Sequence, residues 1–162
     1  MRPIRVGVTI DAPRERVFEY LSDVANHVEF CDHYLKDLRL DRIESRGVGA
    51  AASFRIAFGR ALWGEIAIAE LDPPHLIVLD GHTGRLGRVG VHAEYRLTQH
   101  GREGTRVDYE VSTTPATRTD RLREALGGRA WLRWQSGKAV RRLAQVLEQG
   151  RPASRAVRVA AG

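Results

Sequence analysis

What is scarce in this 162-residue chain narrows its class before any pattern is read. A single cysteine, Cys31, excludes an intramolecular disulfide, so stability must come from packing. No apolar run approaches the roughly 18 residues that a membrane-spanning helix needs, and Met1-Arg2-Pro3-Ile4-Arg5 lacks the apolar region of a signal peptide. The expectation is a cytoplasmic protein with no stable membrane insertion. Lysine is nearly missing: Lys36 and Lys138 are the only two among 26 basic residues. Arginine usage this general reads as the bias of a GC-rich genome rather than as a designed nucleic-acid patch, so no nucleic-acid partner is expected. The basic excess is nonetheless uneven, with 11 Arg or Lys against 3 acids in residues 117–162 and 15 against 17 before them.

The length fits one domain, expected over residues 1–149, with a mobile basic tail over 150–162 rich in Pro, Ala, Ser and Arg. The pattern that organises the domain is a helix predicted from Thr119 to Gln149, with Thr119 as its cap. Its apolar stripe reads Leu122, Ala125, Leu126, Leu132, Ala139, Val140, Leu143, Val146 and Leu147, at the three-and-four spacing of an amphipathic helix. Upstream the period changes to two. Ile4, Val6, Val8 and Ile10 alternate with Arg5, Gly7 and Thr9, as in a half-buried strand. Asp11-Ala12-Pro13 then signals a helix capped by Asp11 or its neighbour, burying Val17, Phe18 and Leu21, and a second short helix is expected over Val24–Phe30.

Residues 35–112 read as an antiparallel meander, with strands near 35–45, 51–58, 63–71, 75–81, 89–99 and 105–112. Turn residues punctuate it at Gly47-Val48-Gly49, Phe58-Gly59-Arg60, Asp72-Pro73-Pro74 and His100-Gly101-Arg102. Val91, Ala93, Tyr95 and Leu97 share one face, as do Val107, Tyr109 and Val111. His92, Glu94, Arg96, Asp108 and Glu110 fall on the other.

Several segments in this order resemble the START-like, or polyketide cyclase and lipid-transport, superfamily. They are Val8-Thr9-Ile10-Asp11-Ala12-Pro13, then Val17 to Asp23, Gly47-Val48-Gly49, Glu70-Leu71-Asp72-Pro73-Pro74-His75, Tyr95-Arg96-Leu97, and Gly104 to Tyr109. The resemblance implies an α+β helix-grip fold: a curved antiparallel sheet of about seven strands, two short helices, and a long C-terminal helix across the sheet. It also implies a cavity between sheet and helix, used in the superfamily for lipids, polyketides, hormones or hydrophobic cofactors. It implies no single chemistry, because a fold does not choose between carrier, cyclase and regulator.

Local motifs add little chemistry. His27, Glu29, Cys31 and His33 are all zinc-ligand types, but a step of two along a helix scatters them, so no metal site is expected. His92-Ala93-Glu94 lacks the Pro-Cys-x-x-Cys of a zinc deaminase. Gly84, Gly87 and Gly90 lack the Gly-Lys-Ser/Thr ending of a phosphate loop, and there is no Gly-x-Ser-x-Gly elbow. No cofactor is expected.

The leading expectation is a protein that binds a small hydrophobic or amphipathic ligand. Phe54, Ile56, Ile66, Val78 and Leu132 would be apolar walls, Trp63, Tyr95 and Tyr109 aromatic lining, and His33 and Tyr34 the mouth. Arg129 falls inside the helix stripe and would serve, with Tyr109, as a polar anchor. An enzyme of the cyclase, aromatase or dehydratase type is the alternative, with Asp80, His82 or Tyr109 moving protons. Trp131 and Trp134 fall opposite the stripe with Gln135 and Arg142, which leaves open a dimerising regulatory module, a cover from the tail, or contact with a membrane surface, unless a kink at the helix-weakening Gly127-Gly128 rotates them instead.

Overall fold

The architecture comes from a computed structural model that describes residues 2–58, 62–123 and 127–149, together with the backbone of Arg158–Val159. In chain order the elements are β1 (Ile4–Ile10), α1 (Arg14–Leu21), a 3₁₀ turn (Val24–Asn26), α2 (His27–Cys31), β2 (Leu35–Leu40), β3 (Ala51–Ile56), β4 (Leu62–Asp72) and β5 (Leu76–Thr83). A second 3₁₀ turn, Arg85–Gly87, leads into β6 (Val89–His100), β7 (Gly104–Thr114), α3 (Arg118–Arg123), α4 (Arg129–Gln149) and β8 (Arg158–Val159). The sheet order is β1-β7-β6-β5-β4-β3-β2-β8. Its first seven strands pair antiparallel, and the two-residue β8 joins the edge of β2 in parallel. This is the expected α+β helix-grip arrangement. The expected tail lies outside the described residues except at β8.

Two devices bend the sheet. Register shifts interrupt β2 between Lys36 and Arg39 and β4 between Ile68 and Glu70, and each extra residue sharpens the local twist. Glycine permits close approach at two cross-sheet points. A Cβ on Gly81 would sit 2.0 Å from the Glu65 carbonyl oxygen, and one on Gly64 would sit 2.8 Å from the Phe54 ring. The short helices close one end of the sheet. His27 and Phe30 are buried there, and Arg142 of α4 donates to the Asp32 carboxylate and, at 3.3 Å, to the Glu29 carbonyl, tying α2 to α4.

α4 packs along β1 and α2 through Ala139, Val140, Leu143, Ala144 and Leu147, all of them buried. Leu143 is fully buried, and truncating a leucine in such a position costs about 2–5 kcal/mol.

The helical expectation needs four corrections. First, the region predicted as one helix, 119–149, is described as α3 and α4, with Gly127 and Gly128 in a π-helical turn before α4, where Gly127 takes φ +114°, a conformation open to glycine. Ala125 and Leu126 of the predicted stripe lie outside the described residues. Second, Leu122, upstream of that turn, is 58% exposed rather than part of the core. Third, α4 keeps the predicted phase, with Ala139, Val140, Leu143 and Leu147 buried, but its covered arc is wider than the stripe: Gln135 is buried and Trp131 packs inward, whereas Trp134 is 60% exposed beneath the Lys138 ammonium. Fourth, neither predicted cap acts. α1 starts after Pro13 without a side-chain cap, the backbone N–H of Asp11 donating instead to Glu148, and Thr119 lies inside α3.

Candidate functional site

The wedge between α4 and the bent sheet holds a cavity of about 180 Å³, partly open to solvent. Strand alternation decides what faces it. Phe54 and Ile56 on β3, Ile66 on β4, Val91 on β6 and Val111 on β7 point to the concave side, and Leu132 comes down from α4. Aromatic groups close the wall: Trp131 packs on Phe58 with ring centroids 4.6 Å apart, and edge-on against Tyr34 at 6.1 Å. Tyr109 contributes its phenol from β7. Among the described residues the lining contains no Asp, Glu or His.

The predicted wall is brought together in part. Tyr34, Phe54, Ile56, Ile66, Tyr109, Arg129 and Leu132 line the cavity. Val78 and Trp63 do not, because their strand positions face the convex side. Val78 sits opposite Glu94 in register, and Trp63 is 53% exposed with the Arg39 guanidinium over its ring. Tyr95 is buried one layer away from the lining, stacked on Tyr109 at 4.6 Å and meeting His27 edge-on. His33 turns toward α4 instead, where it meets the Gln135 backbone carbonyl at 3.2 Å and Arg142. Desolvation, with Arg142 beside it, lowers the pKa of His33.

Asp80 and His82 are also corrected. Both point to the exposed convex face, since they share strand parity with Val78 rather than with Thr83, which lines the cavity. Asp80 accepts from His92 Nδ1 at 2.6 Å, and Glu94 takes the other ring nitrogen at 3.1 Å. These hydrogen bonds raise the pKa of His92, the bond to Asp80 contributing most. His82 lies 3.5 Å from Glu65. This is a surface ion network without the burial that would turn it into acid–base machinery.

Arg129 reaches the lining, but its guanidinium donates to the backbone carbonyls of Arg2 and Pro3 at the start of β1. No carboxylate pairs with it among the described residues. The four candidate zinc ligands part company: His27 meets the Leu21 carbonyl, Glu29 accepts from Tyr20, Cys31 is buried under Tyr34, and His33 faces α4.

Burial raises the pKa values of Tyr34, Tyr95 and Tyr109, and pushes the Cys31 thiol up to about 12, so these groups stay protonated. The lining residues that sequence reasoning missed are of two kinds. Val91, Val111 and Thr113 share the face of Tyr109 and were legible from alternation. Phe58 and Trp131 were not, since Phe58 lies beyond the end of β3 and Trp131 flanks the α4 stripe, where ring packing sets its direction.

Similarity to known proteins agrees with this architecture. No curated protein matches the chain in sequence. Among solved structures, the protein TTHA0849 from Thermus thermophilus superposes with a TM-score of 0.74 at 14% identity, over 91% of this chain and 98% of that one. Ms6760 from Mycobacterium smegmatis gives 0.63 at 15% identity, over 90% of each. DynU16, a protein of the dynemicin biosynthetic locus, gives 0.62 at 22% identity over 94% of this chain, which spans only 49% of DynU16. At these identities the likeness is one of fold. The sequence itself goes further, because the family model described as polyketide cyclase / dehydrase and lipid transport matches residues 1–148, and the chain belongs to that family.

Proposed function

We propose that the chain binds a small, mainly apolar ring compound in the cavity between α4 and the sheet, and that it holds this ligand rather than transforming it by acid–base chemistry. One observation carries the reading: the lining is apolar and aromatic and, among the described residues, offers no carboxylate or imidazole to move a proton. The phenols in and beside it are held protonated, so they can donate hydrogen bonds but are poor bases. Of the groups the cyclase-type alternative would use, Asp80 and His82 stand on the convex face, and Tyr109, which does line the cavity, is kept protonated by burial and so is a poor base.

Volume sets the size of the ligand. An apolar protein cavity of about 150 Å³ takes up benzene. The 180 Å³ here suits one or two fused rings without rearrangement. Arg129, at the lining and unpaired with any described carboxylate, would favour an acidic substituent that reaches it.

The test is a titration of the full chain with naphthalene and with 2-naphthoate, followed by tryptophan fluorescence and by methyl NMR of Leu132 and Ile66. Saturable shifts at those methyls are expected. Their absence with both probes, up to the solubility limit, would remove the cavity as a binding site.

A further inference from the structure

Hydrogen-bond accounting inside the cavity carries more than its shape does. Tyr34 is 7% exposed and Tyr95 4% exposed, and Tyr109 forms part of the wall. Three phenol hydroxyls in such surroundings would ordinarily each find an acceptor. Among the described residues the only contact for any of them is Tyr34 Oη to Cys31 Sγ at 3.7 Å, and a thiol is a weak acceptor. Tyr95 and Tyr109 make no hydrogen bond among the described residues. Tyr34 and Tyr109 line the same cavity, and the Tyr109 ring lies against that of Tyr95.

We propose that the cavity selects ligands that carry a neutral carbonyl oxygen on the buried ring, which accepts from the phenol hydroxyls of the lining, Tyr109 and Tyr34. This deepens the binding reading and rests on it. A carbonyl oxygen has two lone pairs and can take both donors. An ammonium group finds no carboxylate in the lining, so it would be desolvated without compensation. A carboxylate placed at the tyrosines instead of at Arg129 would bring a full charge into an apolar and aromatic wall that offers it, among the described residues, no other cation. Tyr95, stacked behind Tyr109 and outside the lining, supports the ring of Tyr109 and leaves the ligand to it.

Tetralin and 1-tetralone share a bicyclic skeleton and differ by one carbonyl, so their affinity ratio isolates the oxygen. Dissociation constants for both are measured by the Leu132 methyl titration on the wild-type chain and on Tyr34→Phe, Tyr109→Phe and Tyr95→Phe. Each substitution removes only an oxygen, and a melting curve verifies the fold. The expected result is a wild-type preference for 1-tetralone that falls about tenfold in Tyr109→Phe and several-fold in Tyr34→Phe, with tetralin binding unchanged. Tyr95→Phe keeps the preference. An affinity ratio that is the same in the wild type and in both lining variants overturns the carbonyl inference while leaving apolar binding intact. If neither compound binds to the wild type, the binding reading falls and this inference falls with it.

Discussion

Tyr95 and Tyr109 stand directly opposite each other on β6 and β7, and their rings pack with centroids 4.6 Å apart at 34°. One ring belongs to the core and the other to the cavity wall, so the pair transmits core packing to the site. Tyr95→Ala leaves a void beneath Tyr109 and should cost about 3–5 kcal/mol, as for other large aromatic truncations. Tyr95→Phe keeps the packing and deletes an unpaired hydroxyl, so its stability should match or exceed the wild type. Urea denaturation of the two variants makes the comparison. Equal losses in both would show that the hydroxyl, not the ring, matters.

Arg129 leads to a second prediction. Its guanidinium is held by two neutral backbone carbonyls, so its charge is free to favour an anion at the lining. Arg129→Gln should weaken 2-naphthoate about tenfold and leave naphthalene unchanged, and added salt should weaken 2-naphthoate only in the wild type. Unchanged 2-naphthoate affinity would remove Arg129 from the site.

The third prediction concerns pH. His27 Nε2 donates to the Leu21 carbonyl at 2.9 Å, and the ring is buried beside those of Phe30 and Tyr95. Burial lowers its pKa below the ordinary 6.5, only partly offset by the Leu21 carbonyl and by Asp23. The unfolded chain therefore binds this proton more readily than the folded one. Stability should fall as pH drops below 6.5, by up to about 1.4 kcal/mol per pH unit. His33, also lowered by desolvation, adds to this slope, and His92, raised by Asp80 and Glu94, opposes it. His27→Gln should flatten the slope between pH 6.5 and 5 when unfolding is followed by denaturant. A slope identical to wild type would place the acid sensitivity elsewhere.

The fold was largely legible because alternation and turn chemistry are local signals. Ile4 to Ile10, Val91 to Leu97 and Val107 to Val111 declare their buried faces residue by residue. The site was legible only where one such face forms the wall, as at Phe54, Ile66 and Tyr109. It failed where strand parity was misjudged, as at Val78 and Asp80. It failed again at Trp131, which flanks the apolar stripe of α4 and is turned inward by its ring contacts with Tyr34 and Phe58. Long-range partners such as Arg142 and Asp32, 110 residues apart, leave no sequence signal at all.

The central claim is that the space bounded by Tyr34, Ile66, Tyr109, Trp131 and Leu132 receives a ring ligand. Its most direct test is a crystal of the full chain soaked with 1-bromonaphthalene and measured at the bromine absorption edge. The account predicts one dominant anomalous peak between Leu132 and Tyr109, within van der Waals contact of Trp131. A map without bromine in that space, with the Trp131 indole filling it instead, would contradict the account.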